Sequence, residues 1–439
     1  MRYALLVALL VLALPALAGP PGPVTDDMFR PVDRREAELG QLLFYDPILS
    51  GNREVSCATC HHPRFGTSDG LSLGIGDGGK GLGPDRVADP DNLPEERIPR
   101  NAPALFNLGA HEFTVLFHDG RIEADPARKS GIRTPLEDDM TVGFDGILSA
   151  QTMFPVLSPD EMAGHYSENE IAQAVRQGRL TGEGGAWDLI SARVRAIPDY
   201  EARFAAVYPD IAAGRPLGFT DISNAIAAFM ELEWRSDASP FDAYLRGEGD
   251  LPPLAREGMA LFYGDAGCGT CHSGPFLTDH RFHAMAAPQI GPGKVARFES
   301  DHRDMGRMEV TGRPEDAFAF RTPSLRNIAL TAPYGHAGGH SQLGAFVRDH
   351  AEGAAALSRY NPENALLPDL AGVEDLAILN SPEEMQAITD AAGTRTQEPL
   401  SDAELAAILA FLDTLTDPNA ETGVLGIPDA VPSGLPVTR

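Results

Sequence analysis

One five-residue pattern is written twice in this chain, as Cys57-Ala58-Thr59-Cys60-His61 and as Cys268-Gly269-Thr270-Cys271-His272, and the two copies use all four of its cysteines. Two thiols three positions apart can add to the two vinyl groups of one porphyrin, while the next residue brings an imidazole beneath the iron. The pattern therefore predicts two covalently bound haem c groups, attached through Cys57, Cys60, Cys268 and Cys271, with His61 and His272 as proximal ligands. Zinc, a thiol-redox pair and structural disulfides are the rival readings. Zinc needs four ligands, whereas the two pairs stand 211 residues apart (268 minus 57). A thioredoxin-type pair gives no reason for the histidine that follows each motif.

The N-terminus bears on the compartment. Arg2 is followed by the apolar run Ala4 to Leu17 and by Ala16-Leu17-Ala18 before Gly19, which reads as a secretory signal peptide over residues 1–18. Export to a bacterial periplasm suits covalent haem. Cleavage after Ala18 would leave 421 residues (439 minus 18) with no further apolar segment long enough to span a membrane. That length suits two or three domains, and two haem motifs suggest two. The formal charge of −28 argues against nucleic acid or anionic lipid as a partner and favours encounter with basic surfaces, although acidity also simply keeps an exported protein soluble.

Helical patterns separated by long Gly- and Pro-rich connections point to an all-α fold with irregular loops. Asp221 to Trp234 puts Ile222, Ala225, Ile226, Phe229 and Met230 on one face, with Thr220 or Asp221 as the cap. Pro253 to Tyr263 forms a helix that delivers the chain to Cys268. Ser401 and Glu404 make a capping box ahead of Leu405, Ile408, Leu409 and Leu412. Leu71 to Pro84 carries glycine at 74, 76, 78, 79, 81 and 83 without a Walker pattern, and reads as a flexible loop near the first haem. Gly353 to Leu400 shows no recognisable chemistry and reads as an insertion.

What stands opposite each proximal histidine decides whether an iron transfers electrons or binds a small oxidant. Leu343, Phe346, Val347 and His350 recur at helical spacing after a possible cap at Ser341, which sets the His350 imidazole on an apolar face. A core histidine satisfied by a hydrogen bond has the same placement, so the pattern leaves ligand and core residue both open.

The run Phe320-Arg321-Thr322-Pro323-Ser324-Leu325-Arg326-Asn327 through Ala332-Pro333-Tyr334-Gly335-His336 resembles a signature of the bacterial di-haem cytochrome c peroxidase family, which includes MauG-like enzymes. Arg100 to Asn107, His118-Asp119-Gly120-Arg121 and Pro159-Asp160-Glu161-Met162 resemble further stations of that family in the same order, and the likeness runs from about Leu39 to Thr416. It implies two cytochrome c-like haem domains, expected here over 19–237 and 238–418 with a tail over 419–439. The first would be peroxidatic and the second an electron-transfer domain. By the resemblance, the far ligand of the second haem lies fourteen residues beyond His336, which is His350, where relatives usually carry Met or Tyr. The switchable far histidine of the first haem falls near Asp77, and no histidine occurs between His62 and His111, so that iron is expected to stay open.

Glu161 takes the place of the family's distal acid, although Ser158-Pro159-Asp160-Glu161 is also an ordinary helix start. The family commonly has Trp at position 118; His118 stands there, with a hydrogen-bonding, ligand or purely structural role left open. Arg321 and Arg326 are expected to pair with haem propionates. Asn101 and the carbonyls of Thr331 and Pro333 resemble an inter-domain calcium site. Hydrogen peroxide would be the oxidant. The electron donor would be a small cytochrome c or cupredoxin, unless the oxidising equivalents are spent on a protein substrate, and a pure electron carrier with both irons six-coordinate is the non-enzymatic alternative.

Overall fold

Two helix pairs of one design organise the chain. The computed structural model describes residues 19–294, 302–393 and 399–439; the signal peptide expected over 1–18 lies outside the described residues. Helix Arg34–Tyr45 starts on Asp33, whose carboxylate accepts the Arg35 N–H at 2.8 Å, and it buries Ala37, Leu39, Gly40, Leu43, Phe44 and Tyr45. That face packs on helix Phe219–Glu233 so closely that a Cβ on Gly40 would stand 1.8 Å from the Ala225 carbonyl oxygen. Helix Pro253–Tyr263 packs on Asp402–Asp413 in the same way, with a Cβ on Gly258 falling 1.8 Å from the Ala407 oxygen. Each first helix ends in Phe-Tyr shortly before its cysteines, so the close pair sets where each haem motif begins.

A second repeated feature joins the halves. Asn107 and Asn327 both take left-handed backbone, with φ of 60° and 61°. Their N–H groups cap the second helices, on Trp234 O at 3.0 Å and Leu415 O at 3.1 Å. The Asn107 amide exchanges bonds with the Ser236 backbone at 2.9 and 2.8 Å, and Asn327 Nδ2 donates to Ser236 Oγ at 2.9 Å. Both asparagines thus meet at the residue where the chain leaves one helix pair for the next. Asn tolerates positive φ better than most residues because its short side chain bonds locally, as it does here.

Each pair nucleates its own apolar cluster: Leu39, Phe44, Trp187, Ile222, Phe229 and Trp234 in one, Phe241, Phe262, Leu277, Ile408 and Phe411 in the other. The segment expected as a tail is bound to the first. Ala420 and Val431 are buried in that cluster, the Glu233 carboxylate accepts the N–H groups of Val424, Leu425 and Gly426, and Ser433 Oγ donates to Asp46 at 2.6 Å.

Helices are the main regular structure, but the chain is not purely helical. Antiparallel ladders pair Phe282–Ala284 with Ala319–Arg321, Gly79–Lys80 with Val87–Ala88, and Val115–Leu116 with Ile122–Ala124 and Ile132–Arg133. Strands of two or three residues are too short to display a period of two. The helix expected from Asp221 begins at Phe219; Asp221 sits in its first turn and accepts the Gly218 N–H at 2.9 Å, so it caps from inside. Helix Leu343–Glu352 follows Gln342 and is not capped by Ser341. Ser401 and Glu404 form the expected box. The stretch after Gly353 holds helices Ala354–Leu357 and Pro382–Ala392, which share a small core with Ala286, Phe318 and Ile378. Asp375 from that stretch accepts Arg97 at 2.8 Å, tying it to the first half.

Candidate active site

Cys57–Cys60 forms one helical turn that presents both thiols and then His61. His61 Nδ1 lies 3.0 Å from the Thr67 carbonyl, and His272 Nδ1 lies 3.2 Å from the Leu277 carbonyl. A carbonyl accepts only from N–H, so both rings carry the proton on Nδ1 and present an unprotonated Nε2, the tautomer that binds iron. Burial pushes the Cys57 and Cys60 thiols up to about 12, which opposes thiolate redox chemistry at that pair. Among the described residues, the one close set of metal-ligating atoms is Cys271, Asp279 and His283, which lacks the second cysteine of its motif.

Across from His272 stands His350, their ring centres 6.4 Å apart and their planes inclined by 55°. A metal binds an imidazole nitrogen at about 2 Å and the ring centre lies roughly 1 Å further, so imidazoles trans across one metal have centres roughly 6 Å apart. Phe346 stacks on His350 at 5.3 Å, and no residue of helix Leu343–Glu352 is fully buried, so its apolar face keeps surface for a flat group to cover. A small cleft lined by Met285, Pro288, Phe346, His350 and Tyr360 opens beside it.

Other groups also suit a bound porphyrin. Arg321 reaches only the Phe117 and Thr322 carbonyls, both at 3.3 Å, and burial lowers its guanidinium to about 10; among the described residues no carboxylate pairs with it. A propionate would supply the missing anion. The Tyr45 and Tyr263 hydroxyls are buried without a partner, and Tyr263 packs on Gly269 of the second motif. Arg326 differs from its expected role: its side chain is fully buried, with Nη1 at 2.7 Å from Asp242 Oδ2 and Nη2 at 2.6 Å from the Pro275 carbonyl. The guanidinium is committed to protein groups, as a buried charge must be.

The first part of the glycine loop, residues 71–78, is buried, which the expectation of a flexible surface connection did not include, while Lys80, Gly81 and Pro84 are exposed. Arg86 donates to the Ile75, Gly81 and Gly76 carbonyls at 2.5, 2.8 and 2.5 Å, winding the loop about its guanidinium. Only glycine at 76 lets the loop lie on the wide turn Pro159–Ala163, because a Cβ there would stand 2.4 Å from the Glu161 carbonyl oxygen. The Asp77 N–H then bonds that same oxygen at 3.0 Å, while the Asp77 carboxylate turns to Asn52 at 3.0 Å. Glu161 is thereby fixed by the loop, near enough for the Cys60 thiol to feel its charge. Burial raises the Glu161 carboxyl to about 7, opposed by Lys294 and Arg121 and reinforced by Asp160. Asp69, with its Oδ1 on the Leu71 N–H at 3.0 Å, is raised to about 7, also by burial. Asp69, Arg86 and Lys294 belong to no motif and were not anticipated. Lys294 had one available signal: it is one of only three lysines among 35 cationic residues.

Between the two motifs, His118 Nε2 donates to the Asn101 carbonyl at 3.1 Å and its own carbonyl accepts the Arg321 N–H at 2.8 Å. Burial and the nearby Arg100 push its ring down to about 4, so it is neutral at ordinary pH. Arg100 bridges Asp119 at 2.7 Å and Asp304 at 2.6 Å, locking segments of the two halves together. Asn101 donates its N–H to the His336 carbonyl at 2.8 Å, which brings it beside the loop of Thr331 and Pro333; its Nδ2 donates to the Leu71 carbonyl at 2.8 Å.

Known proteins are similar to this chain in sequence and in fold. The profile of the family described as di-haem cytochrome c peroxidase matches residues 34–250. The methylamine utilization protein MauG of Methylorubrum extorquens is 30% identical over 344 residues, covering 77% of this chain and 74% of that protein. Cytochrome c551 peroxidase of Pseudomonas aeruginosa is 28% identical over 319 residues, 72% of each chain. Among solved structures, a MauG-like protein associated with microbial copper homeostasis superposes with a TM-score of 0.57 at 28% identity, covering 94% of this chain and 97% of that one. With two haem motifs, two opposed histidines and relatives aligned across both halves, the chain belongs to the di-haem cytochrome c peroxidase family.

Proposed function

We propose that the chain reduces hydrogen peroxide at the His61 haem with electrons delivered through the His272/His350 haem, the two standing in cytochrome c-like domains divided near Asp237. The observation that carries this reading is the inequality of the two motifs: a second imidazole faces His272, whereas the first motif is faced by a glycine loop without histidine and by Glu161. Bound haem iron supplies the electrons that cleave the O–O bond, and the protein supplies ligands, orientation and protons. Glu161, as a carboxylate, takes a proton from the near oxygen of peroxide and returns it to the far oxygen, which leaves as water. Two electrons and two further protons complete the reduction to a second water, the electrons coming from a small cytochrome c or cupredoxin.

In this reading Arg321 would hold a propionate, and Asn101 with the Thr331 and Pro333 carbonyls would hold a calcium ion if one binds. Exclusion of Arg326 from the propionate set follows from its commitment to Asp242. Export to the periplasm is part of the reading, supported by the apolar leader; no described helix is long and apolar enough to cross a membrane. The extended likeness to MauG favours a second version, in which the oxidising equivalents are spent on a residue of a partner protein.

Electron paramagnetic resonance of the oxidised protein tests the reading. One high-spin and one low-spin ferric signal, with the high-spin signal lost on adding peroxide, is the expected result; two low-spin signals indifferent to peroxide would mean an electron carrier. Turnover with a reduced cytochrome c or cupredoxin supports the peroxidase version, and peroxide consumption that needs a protein substrate supports the other.

A further inference from the structure

Helix Leu343–Glu352, which carries His350, has few fastenings of its own. No side chain caps its start at Gln342, and none of its ten residues is fully buried. Leu343 and Val347 rest on the second core cluster. Arg348 bonds Asp402 at 2.8 Å and the Leu400 carbonyl at 3.2 Å, and Glu352 pairs with Arg359, but Asp402 and Arg359 are both exposed. Asp349 reaches inward instead. Its Oδ2 lies 2.8 Å from Nε2 of His340, a residue only 1% exposed.

His340 is itself fixed from several sides. Its carbonyl accepts the Tyr334 N–H at 2.8 Å, and the Ser341 N–H that follows is held by the Asn364 carbonyl at 2.8 Å. The ring meets Tyr360 and Phe346 edge-on, with centres 5.2 and 5.6 Å away, and the Tyr360 hydroxyl donates to the Gly339 carbonyl at 2.6 Å. Nδ1 is buried without a hydrogen-bond partner, so the polar capacity of this ring is spent on Asp349. The carboxylate accepts, and Nε2–H donates.

We infer that His340 is a positioning residue of the second haem: through Asp349 it holds helix Leu343–Glu352 at the rotation that keeps His350 facing His272, and so keeps that iron closed to added ligands. The inference rests on the reading of His350 as an iron ligand. Successive helix residues project about 100° apart, so Asp349 stands at the flank of the face that bears Leu343, Phe346, Val347 and His350. A tie at the flank resists turning of the helix about its own axis. Turning is the motion that would carry the His350 imidazole off the line to His272. Phe346 joins the two histidines, since it meets His340 edge-on and stacks on His350 at 5.3 Å.

Cyanide binding to the haem-loaded ferric protein tests this. Cyanide reaches the second iron only while His350 is off it, so its apparent dissociation constant there falls by the factor by which that open fraction grows. Binding is read in paramagnetic resonance, as replacement of the low-spin signal of two imidazoles by that of imidazole and cyanide. H340F keeps the ring volume without the donor and D349L removes the acceptor; each should tighten cyanide at the second haem by about tenfold, the worth of a hydrogen bond to a charged group. H340F/D349L should tighten it no further than either single change, because both remove the same bond. H340Q, which retains an N–H for Asp349, should stay near wild type, and so should R348A, which breaks only the exposed tie. Wild-type affinity in folded H340F and D349L, effects that multiply in the double variant, or an equal effect of R348A would overturn the role of His340 and leave the His350 reading standing. A second haem that keeps its low-spin signal and its cyanide affinity in H350A would overturn both.

Discussion

The imidazoles of His272 and His350 face each other with 6.4 Å between ring centres, the separation two ligands take on opposite sides of one iron. Replacing His350 by methionine exchanges an imidazole for a thioether, and thioether ligation raises the reduction potential of a haem. Spectroelectrochemical titration of H350M should show one haem with a raised potential and the other unmoved. In H350A the same haem should lose its low-spin ferric signal. Two unchanged potentials would remove His350 from the iron.

Glu161 must be ionised to receive a proton, and its carboxyl is raised to about 7. The peroxide reaction should therefore be slow at acid pH and accelerate through about pH 7 as the carboxylate forms. E161Q keeps the shape without the proton acceptor, and loss of a general base or acid of this kind costs about 10²- to 10⁴-fold. Stopped-flow rates across pH check both statements, with the pH limb expected to vanish in the variant.

Much of this arrangement was legible because covalent chemistry writes itself locally. Cysteine spacing names the haem attachments, and helix Pro253–Tyr263 and the Ser401 cap follow from neighbours in sequence. His350 was reached by helical spacing and by likeness to known relatives, and the structure sets it opposite His272. Contacts made at a distance were not legible. Asp242 lies 84 positions from Arg326, so nothing near Arg326 announced that its charge was already answered. The burial of the glycine loop depends on Arg86 and on Gly76 touching Glu161, and its composition alone reads as a flexible connection. The return of residues 420–433 to the first core depends on Glu233 and Asp46, far earlier in the chain.

The Arg326–Asp242 pair has both side chains fully buried at 2.7 Å. Removing one partner strands the other charge, which costs about 3–5 kcal/mol, whereas replacing both by apolar groups is far milder. Asp242 also accepts the Ser239 N–H at 3.1 Å at the start of helix Pro240–Leu245, so its loss removes a cap as well. Urea unfolding should place D242A well below wild type and the D242L/R326L double variant above D242A.

Asp69 is 3% exposed and its carboxyl is raised by burial to about 7, well above the ordinary aspartate value of 3.8. The native protein then holds a proton that the unfolded chain has released between about pH 4 and 7, so stability falls as pH rises through that window, by at most about 1.4 kcal/mol per pH unit. D69N keeps an acceptor for the Leu71 N–H without the charge. Its melting temperature should exceed that of wild type at pH 8, and the gap should close toward pH 4.

Gly40 and Gly258 hold equivalent places in the two helix pairs, and in each a Cβ would stand 1.8 Å from a backbone oxygen of the facing helix. A backbone oxygen inside a helix cannot swing away as a flexible side chain can, so alanine at either position must push the helices apart. Overpacking of this kind costs about 1–3 kcal/mol, and more where nothing can yield. Gly249 supplies the control, because its nearest contact for a Cβ is the Ala243 Cβ at an ordinary 3.8 Å. G40A and G258A should each lower the melting temperature while G249A leaves it near wild type. Because the first helix of each pair runs toward its own cysteines, G40A should disturb the absorption of the peroxide-reactive haem and G258A that of the low-spin haem. Equal disturbance of both haems by either variant would mean that the two pairs do not support their motifs separately.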